Sequence, residues 1–294
     1  MYVIQKRLSI FFTRAKMWSM YETFYSFNQK PFSVTSNPHL LYLSPRHKEA
    51  LAHMMYGIRE RVGFIEITGE VGTGKTTLCR SLLNQLDSTI KTAFIFNSNL
   101  SETQLLQTIL SDLGIKSTAK NKGGMFTELN QFLIEQLRLG NNVVVIVDEA
   151  QNLSKKLLEQ IRMLSNIECE NEILLQIILV GQPELREKLK DPTLRQLYQR
   201  IVVRYHIEAL NRREVGLYIQ HRLEVAGSNG AGPHFDDQAV NVIYSYSGGI
   251  PRVINILCDK ALLNGFVREN RHITQDTIQQ AIHEIEGSVY EHHQ

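Results

Sequence analysis

The chain has 294 residues, of which 43% are hydrophobic and 21% charged, with 32 basic side chains against 30 acidic ones for a formal charge of +2. This is ordinary globular composition, long enough for one large domain or two smaller ones, and its near-neutral balance gives no global pull toward nucleic acid or a membrane, so any such binding has to be local. Three cysteines, Cys79, Cys169 and Cys258, are odd in number, far apart and without metal-ligand spacing, which reads as reduced thiols in a cytoplasmic protein.

In chain order, residues 1–19 come first, with Lys6, Arg7, Arg14 and Lys16 interleaved with apolar side chains and no acid. They read as a basic extension, either frayed or lying on a membrane surface as a peripheral contact; Ser9 breaks the apolar run, and no small-residue cleavage site follows. No stretch approaches the roughly 18 apolar residues of a membrane span. From residue 20, β-rich runs alternate with helical stretches, as a parallel α/β sheet demands. The expected strands are 63–68, 92–97, 143–147, 176–180 and 201–205. Ser101 with Gln104 reads as a capping box opening a helix, and a second helix is expected over 126–139, ending at Gly140. Unbroken apolar runs such as VVVIV fit strands buried on both faces, so helices should cover both sides of the sheet.

After Tyr205 the pattern becomes helical: Asn211 caps a helix with Glu214, and further helices are expected over 236–246, 251–269 and 274–286. The reading is therefore an α/β core over 20–209 with a five-stranded parallel sheet, a small all-helical lid domain over 210–287, and a tail at 288–294. A flexible loop is expected at 228–233.

Gly69, Glu70, Val71, Gly72, Thr73, Gly74, Lys75, Thr76 and Thr77 spell GEVGTGKTT between an expected strand and an expected helix, the context that gives a phosphate-binding loop its meaning. Gly72 and Gly74 allow the tight turn that aims successive amides at phosphate, and the helix N-terminus adds partial positive charge. Lys75 is expected at the β- and γ-phosphates of ATP, Thr76 on Mg2+ and Thr77 at the α-phosphate. Glu70 and Val71 shape the loop. Asp148 and Glu149 follow the apolar strand 143–147, where Asp148 can meet the metal and Glu149 can polarise the attacking water. Gln182 ends the next strand at the same sheet edge. Arg252 opens the helix after GGIP, and Arg200 stands just before the fifth strand, with Arg195 and Arg204 as competitors.

This combination resembles the AAA+ ATPases, and among them the ExeA/GspA-like ATPases of bacterial envelope systems, a group that includes ATPases of MSHA pilus biogenesis and of exosortase and exopolysaccharide loci. The residues carrying the resemblance are YETFYSFNQKPF from Tyr21, LYLSPRHKEAL from Leu41, GFIEITGEVGTGKTTL from Gly63, VDEAQNLS from Val147, LVGQPELREKL from Leu179 and SGGIPRVINILCDKAL from Ser247. It covers about residues 20–286. The resemblance implies that Gln182 is sensor 1, Arg252 sensor 2 and Arg200 the arginine finger acting on a neighbouring subunit, and that 31–42 closes over the adenine. It implies a homo-oligomer and a protein partner in an envelope assembly or secretion system. Secretion members often continue into a membrane helix and a periplasmic region; with neither after Gln294, a cytoplasmic partner of the pilus or exopolysaccharide kind is the expectation. The alternative is a DNA-associated regulator of the transposition or replication type, for which Arg212, Arg213, Lys116, Lys120 and Lys122 are the local basic candidates.

Overall fold

The computed structural model describes residues 20–290 except 36, 97–99, 167, 170–171 and 229–231. The basic extension at 1–19, Asn97, the middle of the 228–233 loop and residues 291–294 lie outside the described residues. The described chain divides into two compact units: Leu43–Glu208, and a second that joins residues 20–42, with helix α1 (Met20–Tyr25), to residues 209–290.

The first unit is built on five parallel strands, β1 (Phe64–Gly69), β2 (Ile90–Ile95), β3 (Asn142–Val147), β4 (Gln176–Gly181) and β5 (Ile201–Ile207), in the order β2-β3-β4-β1-β5. Every residue of β1 and β4 is buried, and so is β3 after Asn142. This is the pattern of a parallel strand covered on both faces, and the reason these segments read as unbroken apolar runs. The outer strands are only partly buried. On β5 the register against β1 slips between Phe64 and Ile65, and Val202 stands 66% exposed beside the slip.

Helices α2 (Pro45–Arg59), which packs on β1 and β5, and α3 (Lys75–Gln85), which follows the phosphate-loop sequence, pack on each other. Helices α4 (Glu102–Asp112) and α5 (Lys122–Arg138) bury Leu105, Leu106, Leu129 and Leu133 in one cluster with Val143, Val145 and Val147. Ser101 and Gln104 form both bonds of the expected capping box. The second helix starts at Lys122 rather than 126: the Asn121 side chain accepts from the Gly124 amide at 2.8 Å, and this cap carries the helix through Gly123 and Gly124, which are poor helix formers. Helices α6 (Lys155–Leu164), α7 (Pro183–Leu189) and α8 (Arg195–Arg200) complete the unit.

The second unit contains α9 (Arg212–Val225), α10 (Asp237–Ser247), α11 (Pro251–Val267) and α12 (Gln275–Tyr290), with Asn211 and Glu214 forming a capping box on α9. Two expectations are corrected here. The unit is not all-helical, because His234–Phe235 and His272–Ile273 pair as a short parallel bridge. Residues 20–42, read as part of the ATPase core, belong with the helices instead. Tyr21, Tyr25, Phe27 and Phe32 are buried in one cluster with Leu257, Cys258 and Leu262, and this apolar burial decides where the segment packs. Arg222 ties the strap down through its guanidinium, which donates to the carbonyls of Pro31 and of Ser33, the latter at 2.9 Å.

Candidate functional site at the sheet edge

Three neighbouring strands, β3, β4 and β1, end at the same sheet edge, where crevices outside strand C-termini take ligands in open α/β folds. From β1 the chain passes into the loop 69–74 and then into α3. Gly74 holds φ +96°, a left-handed conformation that glycine adopts without steric cost, so the chain turns abruptly into the helix N-terminus. The loop is braced internally by Thr73, whose amide and hydroxyl both donate to the Glu70 carbonyl at 3.3 and 2.8 Å. Lys75 is 5% exposed, and its ammonium donates to the Gly69 and Glu70 carbonyls at 2.7 and 2.9 Å. Burial pulls its pKa down, opposed by the Glu149 and Asp148 carboxylates.

Asp148 lies directly after β3 with no exposed surface. It accepts from the Thr76 hydroxyl at 2.6 Å and from the Glu149 amide at 2.9 Å. Burial pushes its carboxyl above the usual range, with the Thr76 hydroxyl acting in the opposite direction. Glu149 follows at φ +53°, a left-handed conformation unusual for a residue with a side chain. Its Oε2 accepts from Gln182 Nε2 at 3.2 Å and from Gln151 Nε2 at 2.5 Å.

The structure thus gathers Lys75, Thr76, Asp148, Glu149 and Gln182 at one edge. Glu70 and Val71 are exposed at the tip of the loop, while Thr77 sits in the first turn of α3. Arg200 is outside the hydrogen-bonded set: half-buried at the end of α8, it donates to Ser165 Oγ at 2.9 Å. Arg204 and Arg186 flank the buried Glu66 carboxylate at 3.4 Å each. Arg195 is exposed in the first turn of α8. Arg252 belongs to the helical unit, exposed in the first turn of α11.

Two polar residues of the site carried no role in the sequence reading. His47, 3% exposed on α2, joins Ser44 Oγ at 2.7 Å to the Thr73 carbonyl at 2.8 Å and so braces the phosphate loop from outside. Gln151 joins Glu149 to β4. His47 leaves no local signal, since its partner lies 26 residues on; for Gln151, a second amide two residues beyond the strand-end glutamate was the available clue.

The donor set suits a magnesium nucleotide. A left-handed glycine opens a helix N-terminus onto the loop, a buried ammonium lies along it, and an alcohol sits beside a carboxylate as hard oxygen ligands for Mg2+. Thr76 and Asp148 would hold the metal.

A family model described as AAA domain matches residues 58–189, which span β1 to α7. The chain is 43% identical over 270 residues to the General secretion pathway protein A of Aeromonas hydrophila; this aligns 91% of the chain and 49% of that protein, so the chain spans about half the length of this relative. Among solved structures, the Aeropyrum pernix ORC2 protein matches with a TM-score of 0.64 at 17% identity, covering 88% of this chain and 72% of that one. The Cdc6p of Pyrobaculum aerophilum matches at 0.63 and 14%, covering 90% and 70%, and a Thermotoga maritima RuvB mutant at 0.53 and 18%, covering 82% and 68%. At such identities these three likenesses speak to fold. The strand order, the phosphate loop and the strand-end acidic pair agree with the AAA-domain match, and over nearly its whole length the chain resembles the ExeA/GspA-like AAA+ ATPases.

Proposed function

We propose that this ATPase binds ATP with Mg2+ at the β1-β4-β3 edge and hydrolyses it to drive assembly or remodelling of a bacterial envelope system, of the secretion, pilus or exopolysaccharide kind. The observation that carries the chemistry is the Glu149 carboxylate, held by two side-chain amides beside the Asp148–Thr76 pair. The 43% identity to the secretion-pathway protein supports the process.

In this reading the loop amides and the N-terminus of α3 bind the phosphates, and Lys75 turns its ammonium from the loop carbonyls to the β- and γ-phosphate oxygens. Thr76 and Asp148 would hold Mg2+, which would supply charge neutralisation. Glu149 accepts a hydrogen bond from the attacking water and aligns it with the γ-phosphorus. Gln182, already bonded to Glu149, orients the same water and the γ-phosphate. Catalysis then comes mostly from positioning and charge stabilisation, as is general for phosphoryl transfer. Arg252 senses the γ-phosphate from the helical unit, and Arg200 reaches a neighbouring subunit's nucleotide once its bond to Ser165 opens.

Phosphate release by wild type, Glu149→Gln and Lys75→Ala tests the chemistry. Both variants should lose turnover, with Glu149→Gln still binding ATP; equal rates for Glu149→Gln and wild type would refute the role of Glu149. Mixing Arg200→Ala with Lys75→Ala subunits should restore activity if the arginine acts in trans, and Arg195→Ala in place of Arg200→Ala tells the two arginines apart. For the process, cells whose only copy is Glu149→Gln should fail to assemble the envelope structure, and normal assembly in them would remove that part of the reading.

A further inference from the structure

We propose that Gln151 is a positioning residue for hydrolysis, whose side-chain amide clamps the Glu149 carboxylate to the end of β4. The proposal rests on the reading of Glu149 above and adds a residue to it.

The geometry is a closed ring. Gln151 Nε2 donates to Glu149 Oε2 at 2.5 Å, while Gln151 Oε1 accepts from the main-chain amide of Gln182 at 3.0 Å. The Gln182 side chain returns to the same Glu149 oxygen at 3.2 Å. One primary amide therefore spends its donor on the carboxylate and its acceptor on the β4 terminus. The chemistry of the partners fixes this orientation, because a carboxylate only accepts and a main-chain N–H only donates. No other side chain of similar length supplies both functions: glutamate lacks the donor, methionine lacks both, and asparagine is a methylene short.

Independent features hold the clamp in place. Gln151 is 8% exposed, in the turn Ala150–Asn152 that follows Glu149. Lys188 on α7 donates to its main-chain carbonyl and, at 3.0 Å, to that of Leu153. On β4, a Cβ at Gly181 would lie 2.7 Å from Gln151 Oε1, so the strand end has room for the amide only because residue 181 lacks a side chain.

Glu149 starts the turn in a left-handed conformation, where the chain leaves the extended run of β3. The two amides then fix its remaining torsions relative to β4, the strand between the phosphate loop and Asp148. A carboxylate released from that clamp still binds water, but samples orientations that do not align it for attack, which lowers kcat while leaving the phosphate-binding groups untouched.

The test uses the full chain with Gln151→Met, Gln151→Glu and Glu149→Gln, measuring single-turnover hydrolysis, steady-state kcat and KM, and affinity for a fluorescent ATP analogue. Gln151→Met preserves volume and should lower kcat about 10- to 100-fold, the range expected for losing a hydrogen bond to a charged group, with less than about a threefold change in nucleotide affinity. Gln151→Glu keeps the acceptor toward Gln182 and should lose kcat as well, which guards against a folding defect in the methionine variant. Adding Gln151→Met to Glu149→Gln should cost no further rate, since the two act as one unit. If Glu149→Gln abolishes turnover while both Gln151 variants keep wild-type kcat, the clamp is refuted and the role of Glu149 stands. If Glu149→Gln itself hydrolyses like wild type, the Glu149 reading falls first. Losses that add in the double variant and come with weakened nucleotide affinity would make Gln151 merely structural and overturn the proposal.

Discussion

Two adjacent glycines in the helical unit separate two physical effects that are usually confounded. Gly248 and Gly249 both have positive φ, +58° and +75°. Gly248 closes α10 as its left-handed cap, with its amide donating to the Tyr244 carbonyl at 2.9 Å, and a Cβ there would meet nothing within 4 Å. A Cβ on Gly249 would lie 1.8 Å from the Leu210 carbonyl oxygen and 3.1 Å from the Leu210 nitrogen, backbone atoms with no rotamer to yield. The Leu210 amide itself donates to the Gly249 carbonyl at 3.0 Å, so the segments touch as backbone against backbone. Gly248→Ala should cost only the left-handed penalty, about 1–2 kcal/mol. Gly249→Ala adds an overpacking cost of about 1–3 kcal/mol and a lost hydrogen bond of about 1 kcal/mol, for a total of about 3–6 kcal/mol. Urea unfolding followed by far-ultraviolet circular dichroism reads the difference, and amide exchange at Leu210 reports it locally. On the proposal that Arg252, three residues on, senses the γ-phosphate, Gly249→Ala should also depress ATP turnover, whereas Gly248→Ala should spare it. Equal destabilisation of the two variants, with Leu210 still protected in both, would refute the close-approach reasoning.

Three further outcomes are expected. His47→Ala removes the brace on the Thr73 carbonyl and should weaken ATP binding about 10-fold by calorimetry; an unchanged Kd would show that the loop holds its shape alone. Arg222→Met leaves the Pro31 and Ser33 carbonyls without their guanidinium partner and should cost about 2–4 kcal/mol; limited proteolysis should then cut within 31–35, and wild-type resistance would count against the strap reading. Asp148→Asn should abolish Mg2+-dependent ATP binding yet raise the Tm of the nucleotide-free protein at neutral pH. The sign follows from burial: a carboxyl whose folded pKa lies above its ordinary value stabilises the fold below that value and loses the contribution as pH rises through the folded one. The advantage of asparagine should therefore shrink as pH falls toward 4, the ordinary carboxylate range, and a Tm gain that grows on acidification would contradict the assignment.

Much of this architecture is legible in local sequence, because the physics that produces it is local. Apolar runs in β3 and β4 mark strands covered on both faces, and both expected capping boxes form because their partners lie three residues apart. The phosphate loop and the Asp148–Glu149 pair are readable for the same reason: each needs its residue types at one strand end. What escapes is set by contacts distant in sequence. Residues 20–42 look like a lead-in to the sheet, yet Tyr21 and Tyr25 find partners more than 230 residues on, in Asp259 and Leu262. The bond from Arg200 to Ser165 spans 35 positions, and that from Gln182 to Gln151 spans 31. A sequence places Gln182 at the sheet edge, but it does not say that a second amide joins it to Glu149.

The site concentrates costly groups, and the strand order explains why the fold tolerates them there. Lys75 and Asp148 are buried charged groups, and Glu149 is a left-handed residue with a side chain, a strain of about 1–3 kcal/mol. Asp148 and Glu149 follow β3, Lys75 opens α3 after the loop that leaves β1, and Gln182 follows β4; these are the three innermost strands. Each of those strands buries apolar side chains on both faces, at about 1.5–3 kcal/mol per fully buried residue, so two or three such side chains offset one strained position. Among the described residues the outer strands β2 and β5 are only partly buried and supply no side chain to the hydrogen-bonded set, although β5 lies directly beside β1. Stability and chemistry should therefore separate under mutation. Truncating Val145 at the sheet centre should cost folding free energy without changing how Glu149 is held, while substitutions at Asp148 or Gln151 should cost turnover with little loss of stability, and in the case of Asp148 with a gain.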